Sequence, residues 1–202
     1  MTVGLLGGSF NPAHDGHLAI SREALRRLRL DRLWWLVSPG NPLKDRGELK
    51  PLAKRLEQAR RLARHPRIDV TGFEAALPDA YTRHTIAYLQ AHYPATGFVW
   101  VMGADNLASF DRWLDWPGIF AALPIAVLDR PGCRFRALAG RAARRFEHAR
   151  AEESDAAGLA RLAPPAWTFL TLPLSPQSST AIRRKKRPGG GRAMGAPRPK
   201  GQ

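Results

Sequence analysis

Cysteine is almost missing from this 202-residue chain. Cys133 stands alone, so neither an intrachain disulfide nor a cysteine-based zinc cluster can form. Acidic residues are scarce too, 17 against 32 lysines and arginines, which leaves a net charge of +15. No apolar run approaches the ~20 residues a membrane-spanning helix needs, which excludes a spanning protein. The first run, Met1 to Gly8, lacks a basic leader and reads as a strand rather than a signal peptide, so a cytoplasmic location is expected. What is present is ordinary for a globular chain: 44% hydrophobic and 24% charged residues exclude wholesale disorder. The length suits one domain with a sizeable core.

The basic excess is concentrated at one end. From Arg183 the chain reads RRKKRPGGGRAMGAPRPKGQ, with eight basic residues and no acidic one, leaving +7 for everything before it. Glycine and proline crowd this stretch and no apolar period survives. Residues 184–202 are therefore expected to be a basic, disordered tail after a domain spanning 1–183. Such tails attach to phosphates without specificity, so a basic nucleic-acid-binding protein is one alternative function, although no specific nucleic-acid partner and no membrane are expected.

Strands and helices alternate along the rest. Apolar runs predict strands at Val3–Gly8, Leu33–Ser38, Ile68–Thr71, Phe98–Met102, Ile125–Leu128 and Trp167–Leu172. Helical spacing predicts helices over His17–Arg29, from Pro51 to Ala63, over Thr82–Tyr93, and through Phe135, Leu138, Ala142 and Phe146. Trp34, Trp35 and Trp100 fall in strands and are expected in the core. Helices between buried strands imply an α/β fold, a doubly wound parallel sheet covered on both faces. Ligands in such folds sit beyond the carboxyl ends of the strands, and here the polar, glycine-rich segments all follow strands.

The first of those segments is Gly7-Gly8-Ser9-Phe10-Asn11-Pro12-Ala13-His14-Asp15-Gly16-His17. Glycines let backbone amides approach a polyanion, and the following helix aims free N–H groups and its positive dipole end at the same space. His14 and His17 add donors that can hold phosphate. The string is neither a Walker loop nor a dinucleotide fingerprint. A zinc site needs three or four ligands, and the other histidines form no second pair, so no protein metal site is expected.

GGSFNPAHDGH resembles the (T/H)xGH loop of the nucleotidyltransferase superfamily, and Ser178-Ser179-Thr180-Ala181-Ile182-Arg183 resembles its SSTxIR motif. Gly103-Ala104-Asp105-Asn106-Leu107, with Phe110 and Trp113, is similar to the GxDxLxxFxxW stretch of bacterial-type nicotinate mononucleotide adenylyltransferases. Asn41-Pro42-Leu43-Lys44, Pro51-Leu52-Ala53-Lys54-Arg55 and Ala80-Tyr81-Thr82-Arg83-His84-Thr85 fit that family's remaining blocks in order. The chain departs from the family at Leu43, Ala80 and His84, where histidine, serine and aspartate are common.

The resemblance implies a Rossmann-like fold and an enzyme that joins ATP to nicotinate mononucleotide, releasing pyrophosphate. Phosphopantetheine adenylyltransferase, which shares the first loop, is the other enzymatic alternative. Carried over residue by residue, the catalytic set is His14, His17 and Arg183. ATP would meet Gly7, Gly8, Ser9, Phe10, His14, His17, Gly103, Asp105, Ser178, Ser179, Thr180 and Arg183. The mononucleotide would meet Asn41, Lys44, Thr82, Asp105 and Trp113, with an exposed Trp113 ring on the pyridine and the Thr82 amide on the carboxylate. Mg²⁺ is expected chiefly on the ATP phosphates. No sequence feature decides the oligomeric state, and a homo-oligomer stays open.

Overall fold

A computed structural model describes residues 1–40 and 49–172. In chain order the elements are β1 (Thr2–Gly8), α1 (Asp15–Arg27), β2 (Arg32–Val37), α2 (Leu52–Leu62), β3 (Ile68–Thr71) and a 3₁₀ turn (Phe73–Ala76). Then come α3 (Thr82–His92), β4 (Gly97–Gly103), α4 (Ala104–Leu107), α5 (Trp116–Ala122), β5 (Ile125–Leu128), α6 (Arg134–Leu138), α7 (Arg141–Arg145) and β6 (Trp167–Leu170). The six strands form one sheet in the order β3-β2-β1-β4-β5-β6, and every described pairing is parallel. The expected doubly wound α/β sheet is therefore present. The strand order reverses at β1, which pairs with β2 on one side and β4 on the other: Leu5 lies opposite Trp34 and Trp100.

Side chains alternate across a strand, so each strand feeds two cores. On one face Val3, Leu5, Phe98, Trp100 and Met102 pack with Ile86 and Leu89 of α3 and Ile119 and Phe120 of α5. On the other, Leu6, Val99 and Val101 pack with Ala24 and Leu25 of α1 and Ala59 of α2. Helices thus cover both faces. Gly4 admits this packing because a Cβ there would stand 2.6 Å from Leu30 Cδ1.

Several expected boundaries shift. The first helix begins at Asp15, not His17, because His14 takes the N-cap position. The helix expected from Phe135 to Phe146 is two short ones, broken at Gly140, whose extended backbone (ψ 157°) caps α7. Phe135 is 88% exposed and lies off the buried stripe. The last strand stops at Leu170. Trp35 and Trp100 are buried as expected, whereas Trp34 is half-buried, edge-on to Tyr93 and Phe98. Tyr93, the last residue of the helix expected over Thr82–Tyr93, caps α3 and is exposed. The expected tail lies outside the described residues.

One buried carboxyl bears on stability. Glu74, in the 3₁₀ turn after β3, is 5% exposed and accepts from the Thr85 hydroxyl of α3 at 2.8 Å. Burial pushes its pKa up from the ordinary 4.5 to about 7. The folded state therefore holds this proton more tightly than the unfolded chain, so the contribution is full below pH 4.5 and is lost as pH rises through 7. Against Glu74→Gln, which keeps an acceptor for Thr85, the wild type should lose about 3 kcal/mol of relative stability over that window. Urea denaturation of both proteins from pH 4 to 8 checks this, and parallel profiles would contradict it.

Candidate active site

The open crevice lies beyond the carboxyl ends of β1 and β4, where the strand order reverses, which is where such sheets bind ligands. Gly7 and Gly8 end β1 there. Gly7 sits so close to the Trp100 indole that a Cβ would approach Cη2 to 2.8 Å. The chain then turns sharply at Phe10, which holds a left-handed φ of 45°, a conformation that costs a non-glycine residue about 1–3 kcal/mol. That turn drives the Phe10 ring beneath the loop, stacked on Trp35 (centroids 4.9 Å apart) and against His17 (4.7 Å).

His17 is the third residue of α1 and lies between rings. Its centroid is 3.9 Å from that of His14. The His14 N–H donates to His17 Nδ1 at 3.2 Å, which leaves Nε2 as the protonated nitrogen of a neutral ring. The turn below is braced in series: Trp35 Nε1–H donates to Ser21 Oγ, and the Ser21 hydroxyl to the His17 carbonyl, both at 2.7 Å. Desolvation by burial lowers the pKa of His14 to about 4 and that of His17 to about 3, with the positive charge of Arg130 adding to both. Both imidazoles are neutral at pH 7.

A buried guanidinium holds the loops around them. Arg55 of α2 is 1% exposed. It donates to the carbonyls of Ser9 (2.7 Å), Ser38 (2.7 Å), Pro39 (3.2 Å) and Lys50 (2.8 Å). One side chain thus ties the first loop to the segments leaving β2 and approaching α2. Asn11 adds a contact, accepting from the Lys50 N–H at 3.4 Å.

On the opposite wall, Asp105 lies in the first turn of α4, just after β4. Its Oδ2 pairs with Arg130 Nη1 at 3.0 Å. Gly103 leaves room for that pair, since a Cβ would stand 2.5 Å from Asp105 Oδ1 and 2.8 Å from Arg130 Cδ. Asp129 accepts from the Arg130 N–H at 2.8 Å and pairs with Arg134. Among the described residues four buried side-chain atoms lack a hydrogen-bond partner, and three of them flank this crevice: His14 Nδ1, Trp100 Nε1 and Asp105 Oδ1. Unsatisfied buried groups of this kind are costly, which fits a site completed by a ligand.

The structure therefore brings Gly7, Gly8, Ser9, Phe10, His14, His17, Gly103 and Asp105 to one crevice. Thr82 begins α3, beside the turn that carries Trp113, and Arg83 Nε pairs with Asp115 at 3.1 Å across the gap. Trp113 is not the exposed ring expected. It is half-buried, edge-on to Trp100 (6.4 Å) and tilted against Phe110 (4.9 Å), because those two rings offer it an apolar wall. Asn41, Lys44, Ser178, Ser179, Thr180 and Arg183 lie outside the described residues.

Arg130 and Arg55 were missed from sequence. Arg130 follows the strand Ile125–Leu128 in a polar turn, the same signal that marked the other loops. Arg55 falls on the spacing of Leu52, Leu56 and Ala59, which places a cation on the buried face of its helix.

Comparison with known proteins gives a consistent set of relatives. A family model described as "Cytidylyltransferase-like" matches residues 5–185. A Methylorubrum extorquens (strain PA1) protein named "Probable nicotinate-nucleotide adenylyltransferase" is 56% identical over 185 residues, 92% of this chain and 100% of that protein. A Rhizobium meliloti (strain 1021) protein of the same name is 54% identical over 186 residues, 92% of this chain and 99% of its own. Among solved structures, the Plasmodium falciparum nicotinic acid mononucleotide adenylyltransferase complexed with NaAD aligns with a TM-score of 0.70 and 12% identity. That alignment covers 91% of this chain and 82% of the other, a likeness of fold.

Replacing Arg55 should show what the guanidinium contributes. Lysine keeps the charge but lacks the planar fork, and leaving buried carbonyls unpaired costs about 1–3 kcal/mol each. Arg55→Lys should lose on the order of 3 kcal/mol in urea denaturation. An unchanged midpoint would contradict the assignment.

Proposed function

The chain belongs to the cytidylyltransferase-like family, and within it we propose an adenylyltransferase that joins ATP to nicotinate mononucleotide. The products are nicotinate adenine dinucleotide and pyrophosphate, a step of NAD biosynthesis. One observation carries this reading. At the reversal point of the sheet, two neutral imidazoles, a strand-end glycine pair and the Arg130–Asp105 pair converge, in a chain 56% identical to a named nicotinate-nucleotide adenylyltransferase. No such convergence is needed by a basic nucleic-acid binder. The GADNLASFDRW segment forms the wall opposite the first loop, and the phosphopantetheine alternative leaves it without a role.

The chemistry needs no protein nucleophile. A phosphate oxygen of the mononucleotide attacks the ATP α-phosphorus. The new P–O–P bond forms as the bond to the β-phosphate bridging oxygen breaks, and pyrophosphate leaves with that electron pair. The protein supplies position and charge stabilisation. His14 and His17 meet the phosphates, with His17 Nε2–H following the charge that grows on the α-phosphate. Arg130 adds a fixed positive charge across the crevice. Ser178, Ser179, Thr180 and Arg183 hold the triphosphate, and Asn41 and Lys44 reach the mononucleotide. Mg²⁺, a hard cation that keeps much of its water, would bind chiefly through the ATP phosphate oxygens and lower their charge. The described residues include no helix long and apolar enough to cross a membrane, and the reading places the enzyme in the cytoplasm.

The nicotinate end lies at α3. Its N-cap, Tyr81, offers no side-chain cap. Among the described residues nothing accepts from the Thr82 and Arg83 amides, so a carboxylate can. A neutral amide substrate would turn an NH₂ group toward those same donors.

Two kinetic results follow. His17→Ala should lower kcat by roughly 10²–10³ with a native circular dichroism spectrum, since losing one such donor typically costs that much. A kcat within threefold of wild type would contradict its role. Thr82→Pro removes one amide at a helix position that tolerates proline, after a residue already extended (Tyr81 ψ 130°). It should reduce kcat/KM for the acid mononucleotide about tenfold and for the amide far less, whereas Thr82→Ala, which keeps the amide, should not. Equal losses for acid and amide would reject carboxylate recognition at this helix start.

A further inference from the structure

We propose that Glu74 is a positioning residue for the nicotinate end of the site, fixing through Thr85 where the first turn of α3 presents its free amides. This rests on the reading of the α3 start as the carboxylate site.

A helix start is usually ordered by a Ser, Thr, Asp or Asn side chain at the N-cap, which also consumes the amides of the next turn. At α3 that position is Tyr81, and the amides of Thr82 and Arg83 are left for a ligand. The turn must then be held by other means that leave those amides open. Glu74 does this from beneath. Its Oε1 accepts from Thr85 Oγ1 at 2.8 Å, both residues being buried. Thr85 in turn donates its N–H to the Tyr81 carbonyl at 3.0 Å. Thr85 is therefore fixed at its side chain by Glu74 and at its main chain by the residue preceding Thr82.

The remaining attachments are more exposed. Asp79 accepts from the Tyr81 N–H at 3.0 Å and lies 2.8 Å from His84 Nδ1, and Arg83 reaches Asp115. These surface contacts hold weakly. Among the described residues Glu74 makes the buried side-chain hydrogen bond to this turn, and its form is expensive. No cation pairs with it among the described residues, and burial raises its pKa to about 7. An apolar side chain would fill the same space without that cost, so packing alone does not account for a carboxyl here. A hydrogen bond of fixed direction to the fourth residue of the helix does account for it.

The test is steady-state kinetics of the full chain with both substrates varied. Glu74→Ala should raise KM for nicotinate mononucleotide about tenfold while KM for ATP changes less than twofold. Glu74→Gln, which keeps an oxygen for the Thr85 hydroxyl, should restore KM to within threefold of wild type. Thr85→Val removes the donor and retains the shape; it should reproduce the Glu74→Ala shift, and the double variant should add little, since both remove one contact. If Glu74→Ala does not fold, Thr85→Val carries the test. Equal changes in both KM values, no change in either, or a Glu74→Gln variant as impaired as Glu74→Ala would overturn the proposal. Thr82→Pro separates the two layers. If it abolishes acid preference while Glu74→Ala and Thr85→Val do not shift the mononucleotide KM, Glu74 is not a positioning residue and the nicotinate site stands. If Thr82→Pro is indifferent to acid or amide, the site itself is elsewhere and the proposal falls with it.

Discussion

Among the described residues the buried Arg55 guanidinium meets no carboxylate and is surrounded by the carbonyl oxygens of Ser9, Ser38, Pro39 and Lys50. Desolvation lowers its pKa, and carbonyl dipoles replace the water that its charge has lost. Few side chains could fill this role, because four acceptors on three separate segments need a planar donor with several N–H groups at fixed angles. The parallel sheet brings the ends of β1 and β2 together, and the guanidinium converts that proximity into a defined loop. Ser9 precedes Phe10, so the same contact sets where the chain enters its left-handed turn and hence where the Phe10 ring lies under His17.

The electrostatics of the crevice follow from that arrangement. The histidine rings are packed between Phe10, Trp35 and each other, out of water and near Arg130, so both are neutral. A neutral His17 with Nδ1 occupied by a backbone donor has one proton left, on Nε2, pointing away from that contact. On the proposed function, a triphosphate entering the crevice would raise the proton affinity of both rings, since its negative charge opposes the desolvation and the Arg130 field that lowered them. The same reading couples charge on the imidazoles to substrate binding and has the donors oriented before the phosphorus would become five-coordinate.

Much of this was legible in the chain. Apolar runs gave Ile68–Thr71 and Ile125–Leu128 to the residue: the second is buried throughout, and the first, an edge strand with Ile68 buried, is rich in β-branched residues. The first loop was legible because glycines and paired histidines have few other uses. What failed did so for tertiary reasons. Helical spacing between Phe135 and Phe146 ignored Gly140, where the backbone is extended and no single helix can run. Trp113 read as exposed from its polar neighbours, yet Trp100 and Phe110, distant or skewed in sequence, supply it an apolar wall. Arg55 was hidden by habit: a cation on an apolar stripe reads as a solvated residue until the carbonyls it serves, up to 46 residues away, are in view. Glu74 gave no signal, since one carboxyl beside Phe73 and Ala75 matches no spacing rule.

The claim that this crevice transfers adenylyl groups to a pyridine mononucleotide is tested most directly by pyrophosphate release. The purified chain is given Mg²⁺ and ATP with nicotinate mononucleotide, with phosphopantetheine, or with no acceptor. The account predicts rapid, stoichiometric pyrophosphate only with nicotinate mononucleotide, matched by nicotinate adenine dinucleotide. Release at the same rate with phosphopantetheine, or none with any acceptor, would contradict it.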